Sequence, residues 1–458
     1  MDITPPLTLW IGMGGGMGWD KVLLTLAELV VVQGLLYLLL MLVRSDRHPN
    51  LDALRHSPQS AAEPASTETP VSVDASGRMF IFMLPCLNEE RVVKASLDRL
   101  LGLPYRDFAV LVIDDASDDA TAAIVGAVDD ERVHLVRREA PAAREGKGEA
   151  LNAGIRHILR SGLLQDKDPA DVIVCVLDAD GRLEPEAPEA VAPMFDDPTV
   201  AGVQIGVRIN NRFTNLLARM QDVEFVVYTE LFQRGRRHFG SVGLGGNGQF
   251  MRLIALLEFG DAPWSRSLTE DLDLGVRLLT HGWRNDVCPS VFVHQQGVED
   301  LPRLIRQRTR WFQGHLQSWT LIPRVLRGVP HRARPDLLYH LTSPFLLLVA
   351  SLLTLSLIFA VAAVAVAGLR GYSPGLSWMA MAYLLVGAPA AVVGTVYRDV
   401  ERDTRISLWQ GILLGHVYVV YGLIWYVSGW WAVWRVIRRQ RGWSKTARNI
   451  EPVAGSPV

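Results

Sequence analysis

The chain of 458 residues holds only three cysteines, Cys86, Cys175 and Cys288. So sparse and odd a set fits inert free thiols in a reducing compartment better than a disulfide framework. A dominant charge is also missing. Lys and Arg number 46 against 48 Asp and Glu, a formal net charge of −2, so no global field points to nucleic acid as a partner. No internal repeat recurs at a fixed period. What the chain has in excess is apolar residues, 49% of the total, and its long apolar blocks lie towards the two ends, which suggests membrane spans rather than an oversized core.

The first block covers residues 22–43. As a helix it would measure about 33 Å, enough to cross a bilayer. No small-residue cleavage site follows it, while Arg44 and Arg47 do, which predicts an anchor with the following residues on the cytoplasmic side. The domain plan is a tail and anchor over 1–44, a Pro/Ser/Ala-rich flexible linker over 45–77 and a catalytic region over 78–300. Amphipathic interface helices follow over 301–336, transmembrane helices over 337–436 and a basic tail over 437–458. The later apolar blocks run over 341–369, 378–397 and 408–434. Three crossings from a cytoplasmic domain leave the basic tail outside, against the charge rule, so a re-entrant or interfacial piece is expected in the last two blocks. Glu28 and Gln33 are candidates to line a glycan path, although Glu28 equally suits the outer interface.

Within 78–300 short apolar runs alternate with helical stretches. The runs MFIFMLP (79–85), FAVLVID (108–114), VIVCVLDAD (172–180) and VAGVQIG (200–206) read as buried strands, and 90–101 and 149–160 as intervening helices. The alternation predicts an α/β domain with a mainly parallel sheet. Ligands then bind beyond the carboxyl ends of the strands, where Asn88, Asp114 and Asp180 fall.

Four clusters in this frame carry chemistry. Asp178-Ala-Asp180 ends a strand and can present two carboxylates to a magnesium or manganese ion that neutralises a leaving diphosphate, although acidic pairs at strand ends are common. Asp114 and Asp115 can accept hydrogen bonds from a base or ribose, and Ser117 can cap the next helix. Thr269-Glu270-Asp271 opens a helix; Asp271 suits a general base, or simply the helix dipole. Gln307, Arg310 and Trp311 share one helical face, offering a phosphate clamp and a flat apolar surface, or an ordinary interfacial helix. Gly243-x-Gly245-x-x-Gly248 lacks the strand-to-helix context of a dinucleotide fingerprint, and Glu145-Gly146-Lys147-Gly148 lacks the spacing of a phosphate loop.

The order of these segments is more specific than any one of them. PCLNEE (85–90), DDASDDAT (114–121), GKGEALNAG (146–154), DAD (178–180), GGNGQFMR (245–252), TED (269–271) and QRTRW (307–311) together resemble glycosyltransferase family 2, nearest to its membrane-integrated polysaccharide synthases. The resemblance implies a GT-A fold, an α-helical transmembrane region and a cytoplasmic catalytic domain in a multi-pass plasma-membrane protein. It implies a UDP-sugar donor, glucose or N-acetylglucosamine, and Mg2+ or Mn2+. The donor would be bound by Asn88, Glu89, Asp114, Asp115, Lys147, Asp178 and Arg310, and the metal by Asp180 with Asp178. Asp271 would be the catalytic base, with Glu270, Gln307 and Trp311 on the acceptor side. The expected reaction is inverting transfer to a growing β-linked glycan, coupled to export. The alternatives are transfer of one sugar to a membrane lipid and a non-catalytic scaffold. Membrane lipid is the expected surrounding, and export subunits are left unnamed. Cys86-Leu87 and Asn247 depart from the family pattern, the latter on the acceptor side.

Overall fold

A computed structural model describes residues 19–45, 77–164, 166–368, 376–401 and 404–440. The linker over 46–76 and the basic tail beyond 440 lie outside the described residues. Helices of nine or more residues are labelled here. They are α1 (Trp19–Arg44), α2 (Val93–Leu101), α3 (Lys147–Arg160), α4 (Leu216–Val227), α5 (Glu270–Thr280), α6 (Leu301–Gln317), α7 (Arg334–Gly368), α8 (Leu376–Val400) and α9 (Leu408–Ile437).

Eight strands form one sheet in the order β3-β2-β1-β4-β7-β6-β8-β5. They are β1 (Met79–Cys86), β2 (Phe108–Asp114), β3 (Val133–Arg137), β4 (Val172–Val176), β5 (Arg182–Leu183), β6 (Val200–Ile209), β7 (Gln249–Arg252) and β8 (Arg284–Gln295). From β3 to β4 the pairing is parallel, as predicted. Beyond β4 the sheet is mixed. Strand β7 runs antiparallel to both β4 and β6, and β5 antiparallel to β8, while β6 and β8 are parallel. The expectation of a mainly parallel sheet therefore needs correcting in this half, because the short β7 runs against both neighbours.

The strands are apolar on both faces because both are covered. Phe80, Phe82 and Leu84 face α2 and the 187–195 helical turns, with Val110, Val112 and Phe250. Ile81, Met83, Leu111 and Val174 face α3 and α5, meeting Leu151, Ile155, Leu274 and Leu278. All three cysteines are buried and free, as expected.

The terminal helices pack on the sheet domain through a further core. Met41 of α1, Val223 and Val227 of α4, Tyr397 of α8 and Tyr421 of α9 meet there. Helices α8 and α9 approach closely through small residues. A Cβ on Gly394 would lie 1.9 Å from the Gly411 carbonyl oxygen, and one on Gly415 would lie 1.8 Å from that of Ala390. Such contacts suit helices that gain from van der Waals packing. Both helices are continuous, of 25 and 30 residues. Among the described residues, two stretches, Arg334–Leu355 and Leu408–Ile437, are long and apolar enough to cross a membrane.

Candidate active site

Parallel pairing aligns the carboxyl ends of β2, β1 and β4, so the residues that follow them share one rim. A cavity of about 230 Å3 opens there, between the sheet rim, α5, α6 and the 245–247 segment. It is lined by nine of the twelve candidate residues: Glu89, Asp115, Lys147, Asp178, Glu270, Asp271, Gln307, Arg310 and Trp311. Of the other three, Asp114 and Asp180 are fully buried and Asn88 is exposed.

Lys147 opens α3 and is the electrostatic centre of the cavity. Its Nζ donates to Asp178 Oδ1 at 2.6 Å and to the Gly246 carbonyl at 2.6 Å. Burial works to lower the pKa of this ammonium, but the Asp178 and Glu270 carboxylates outweigh it and raise the pKa. Opposite stand Glu270 and Asp271 at the start of α5. Burial, reinforced by the neighbouring Asp271, pushes Glu270 up to about 7, against the pull of Lys147 and Arg310. Asp271 is also raised by burial, moderated by the Leu272 N–H, which donates to its Oδ1 at 2.8 Å, and by Lys147. A carboxylate held above its ordinary range beside a fixed ammonium can take up a proton near neutral pH.

Glycine lets this centre pack closely. A Cβ on Gly246 would stand 3.2 Å from Asp271 Oδ2 and 3.3 Å from Lys147 Nζ. Helix α6 crosses so near the start of α5 that a Cβ on Gly314 would lie 2.6–2.8 Å from three Thr269 atoms.

The acidic segments after the strands divide their work. Asp114 is fully buried and receives the Ser117 N–H at 3.3 Å, with Arg137 at 3.6 Å. Asp115 reaches the cavity, bound by Arg138 and the Arg144 N–H, with burial raising its pKa. Ser117 does not cap the following short helix; its hydroxyl accepts from the Asn88 N–H at 2.9 Å, and Asp119 receives the Thr121 N–H instead. Asn88 sits at φ 54° and accepts the Asp118 N–H, fastening the two loops together. Asp180 is buried, with Oδ2 receiving the Gln296 N–H at 3.0 Å.

Two carboxylates on one turn are a donor set suited to a hard divalent cation. Such ions need only one or two protein carboxylates when phosphates and water complete the shell. Among the described residues no cluster of three or more His, Cys, Asp or Glu could hold a metal by itself. The set fits a cation shared with a bound diphosphate.

Sequence reasoning missed several lining residues, among them Gln204, Phe225, Tyr228, Gln233 and Gln295. Gln204 receives the Gly245 N–H at 2.7 Å and donates to the Asn247 carbonyl at 2.9 Å, which holds the glycine-rich wall. Asn247, expected to alter acceptor contacts, lines the cavity; its Oδ1 accepts the Asp178 N–H at 3.1 Å and its Nδ2 donates to Gln295 at 2.8 Å. Tyr228 and Gln233 lie on a π-helical stretch after α4 (Tyr228–Gln233), a local widening often found at functional sites.

Comparison with known proteins agrees with this geometry. The chain is 33% identical over 243 residues to a beta-monoglucosyldiacylglycerol synthase of Synechocystis, covering 52% of this chain and 48% of that protein. It is 27% identical over 238 residues to a poly-beta-1,6-N-acetyl-D-glucosamine synthase of Staphylococcus aureus, covering 51% and 53%. The chain thus spans about half the length of these relatives. Among solved structures, the mannosyltransferase PcManGT of Pyrobaculum calidifontis, in complex with GDP-Man and Mn2+, superposes with a TM-score of 0.51 at 19% identity. That match covers 88% of this chain and 99% of the other, and it supports a common GT-A fold. The family model described as glycosyltransferase like family 2 matches residues 77–314, just over half of the chain. Since that match runs from the first strand of the sheet into the helix bearing Gln307, Arg310 and Trp311, the chain belongs to glycosyltransferase family 2.

Proposed function

We propose that the protein is an inverting hexosyltransferase that moves glucose or N-acetylglucosamine from a UDP-sugar to an acceptor hydroxyl at a membrane. The carrying observation is the single cavity in which Asp271 faces Lys147 and Asp178 across Gly246. Glu89 and Asp115 bind the nucleoside, with Asn88 and Asp114 shaping their loops. Lys147 and Arg310 bind the diphosphate. Asp178 and Asp180 would hold Mg2+ or Mn2+, which supplies charge neutralisation on the departing diphosphate. Asp271 takes the proton of the acceptor hydroxyl as its oxygen bonds to the anomeric carbon and the bond from that carbon to the diphosphate breaks. One displacement inverts the α-linked donor to a β-linked product. Glu270, Gln307 and Trp311 orient the acceptor.

The two apolar stretches within α7 and α9 support a membrane location, with the sheet domain on the cytoplasmic face. Two acceptors compete. The 33% identity to beta-monoglucosyldiacylglycerol synthase favours a lipid acceptor. The QRTRW segment and the 27% identity to a polysaccharide synthase favour chain extension. Detergent-purified protein incubated with radiolabelled UDP-glucose or UDP-N-acetylglucosamine, with membrane lipid present, separates them by product size. A single-sugar glycolipid selects the lipid reading and a ladder of long glycans selects extension. Absence of transfer from either donor would overturn the proposal.

A further inference from the structure

Arg308 is the unexpected member of the QRTRW segment. Among the charges expected on the polar face of the amphipathic helix, it is instead 0% exposed. Its guanidinium forms an ion pair with Glu224 of α4 and donates to the Tyr421 hydroxyl of α9 at 3.2 Å. The Glu224 carboxylate also receives Tyr421 Oη–H at 2.7 Å and Trp425 Nε1–H at 2.7 Å. Glu224 thus gathers donors from α6 and α9 onto α4.

The cluster's other side faces the cavity. The Arg308 guanidinium lies 4.1 Å from the centre of the Trp311 ring and 5.4 Å from that of Trp425, while its Nη1 donates to Gln307 Oε1 at 2.9 Å. Two cavity-lining residues, Gln307 and Trp311, are therefore held directly by Arg308, and Phe225 packs edge-on against Trp311 at 6.2 Å. On the donor side, Lys147 bonds to Asp178 and the Gly246 carbonyl, and Asp115 to Arg138 and the Arg144 N–H. The planar guanidinium is suited to this double task of forking to a carboxylate and stacking on an indole.

We infer that Glu224, Tyr421 and Trp425 are positioning residues that act through Arg308 on Gln307 and Trp311 and so set the acceptor wall. The long apolar helix α9 thereby becomes part of the acceptor site. This rests on the proposed glycosyl transfer, with Gln307 and Trp311 on the acceptor side.

The test compares wild type with Glu224→Gln and Trp425→Leu, using UDP-glucose or UDP-N-acetylglucosamine and dioctanoylglycerol or chitopentaose as acceptor, whichever pair the wild type turns over. The acceptor KM should rise about tenfold or more while the donor KM stays within about twofold, and Trp425→Phe, which keeps the ring, should recover part of the loss. Equal rises in both constants, or no change in either, would overturn the inference. A second readout needs no turnover. Acrylamide quenching of tryptophan fluorescence should increase in Glu224→Gln, and this increase should vanish when Trp311→Phe is added. An increase that persists without Trp311, or no increase, contradicts the clamp. If the wild type turns over no donor but quenching behaves as expected, the catalytic reading fails and the clamp stands.

Discussion

At the scale of single residues, the site is an argument about protons. Glu270 and Asp271 are adjacent, both raised by burial, and both lowered in part by Lys147. A base must be ionised to act, so activity falls as pH drops through its folded pKa. The kcat/KM profile should therefore show its acid limb above that of an ordinary carboxylate, near 4. Lys147→Met removes the charge that favours ionisation and should move that limb to higher pH; an unmoved or lowered limb contradicts the assignment. Motif residues were legible in the sequence through the order of their segments rather than through any one of them, and nine of twelve line one cavity. Gln204, Tyr228 and Gln295 were not, because neutral side chains on a strand or helix carry no motif and their role depends on which wall the fold brings near. Asn247 stood out in the sequence as a departure from the family pattern, but not the bridge its amide makes between Asp178 and Gln295.

At the scale of elements, β1, β2, β4 and β6 were legible as continuous apolar runs. The others hid for separate reasons. Strand β7 is four residues long with polar ends, Gln249 and Arg252, both buried. Strand β8 contains Asp286 and Pro289 and does not read as a strand. Its pairing with β6 jumps from Ile205↔Cys288 to Gly206↔Phe292, so Pro289 sits in a bulge where it costs no ladder hydrogen bond. Helix α6, read as an amphipathic interface helix, has Arg308 buried and Gly314 against the start of α5. Gly314→Ala should push α6 away from Thr269 and shift Asp271. The expected result is a loss of about 100-fold in kcat/KM with the far-ultraviolet circular dichroism of wild type. Unchanged kinetics would show that the close crossing does not position the base.

At the scale of the whole molecule, the sheet domain and the long helices are joined by buried charge. Arg208 at the end of β6 pairs with Asp222 of α4 and, at 2.8 Å, with Glu401 just beyond α8; Arg212 donates to Glu401 at 3.0 Å, and Tyr397 of α8 donates to Asp222 at 2.9 Å. Arg208 and Asp222 are 14 residues apart, but Glu401 and Tyr397 lie more than 170 residues from their partners, so no local pattern announces the junction. Removing one member strands the others away from water. Glu401→Ala should cost about 3–5 kcal/mol, read as a lower melting temperature in detergent; an unchanged melting temperature would mean the junction is held by apolar packing alone.

The central claim is that Asp271 is the base of a nucleotide-sugar transfer. The direct measurement is nucleoside diphosphate release by Asp271→Asn, alongside donor binding by calorimetry. The account predicts a fall in kcat of about 1,000-fold with donor affinity retained, because the amide fills the same space but takes no proton. Turnover near that of the wild type, with the donor bound equally well, would contradict it.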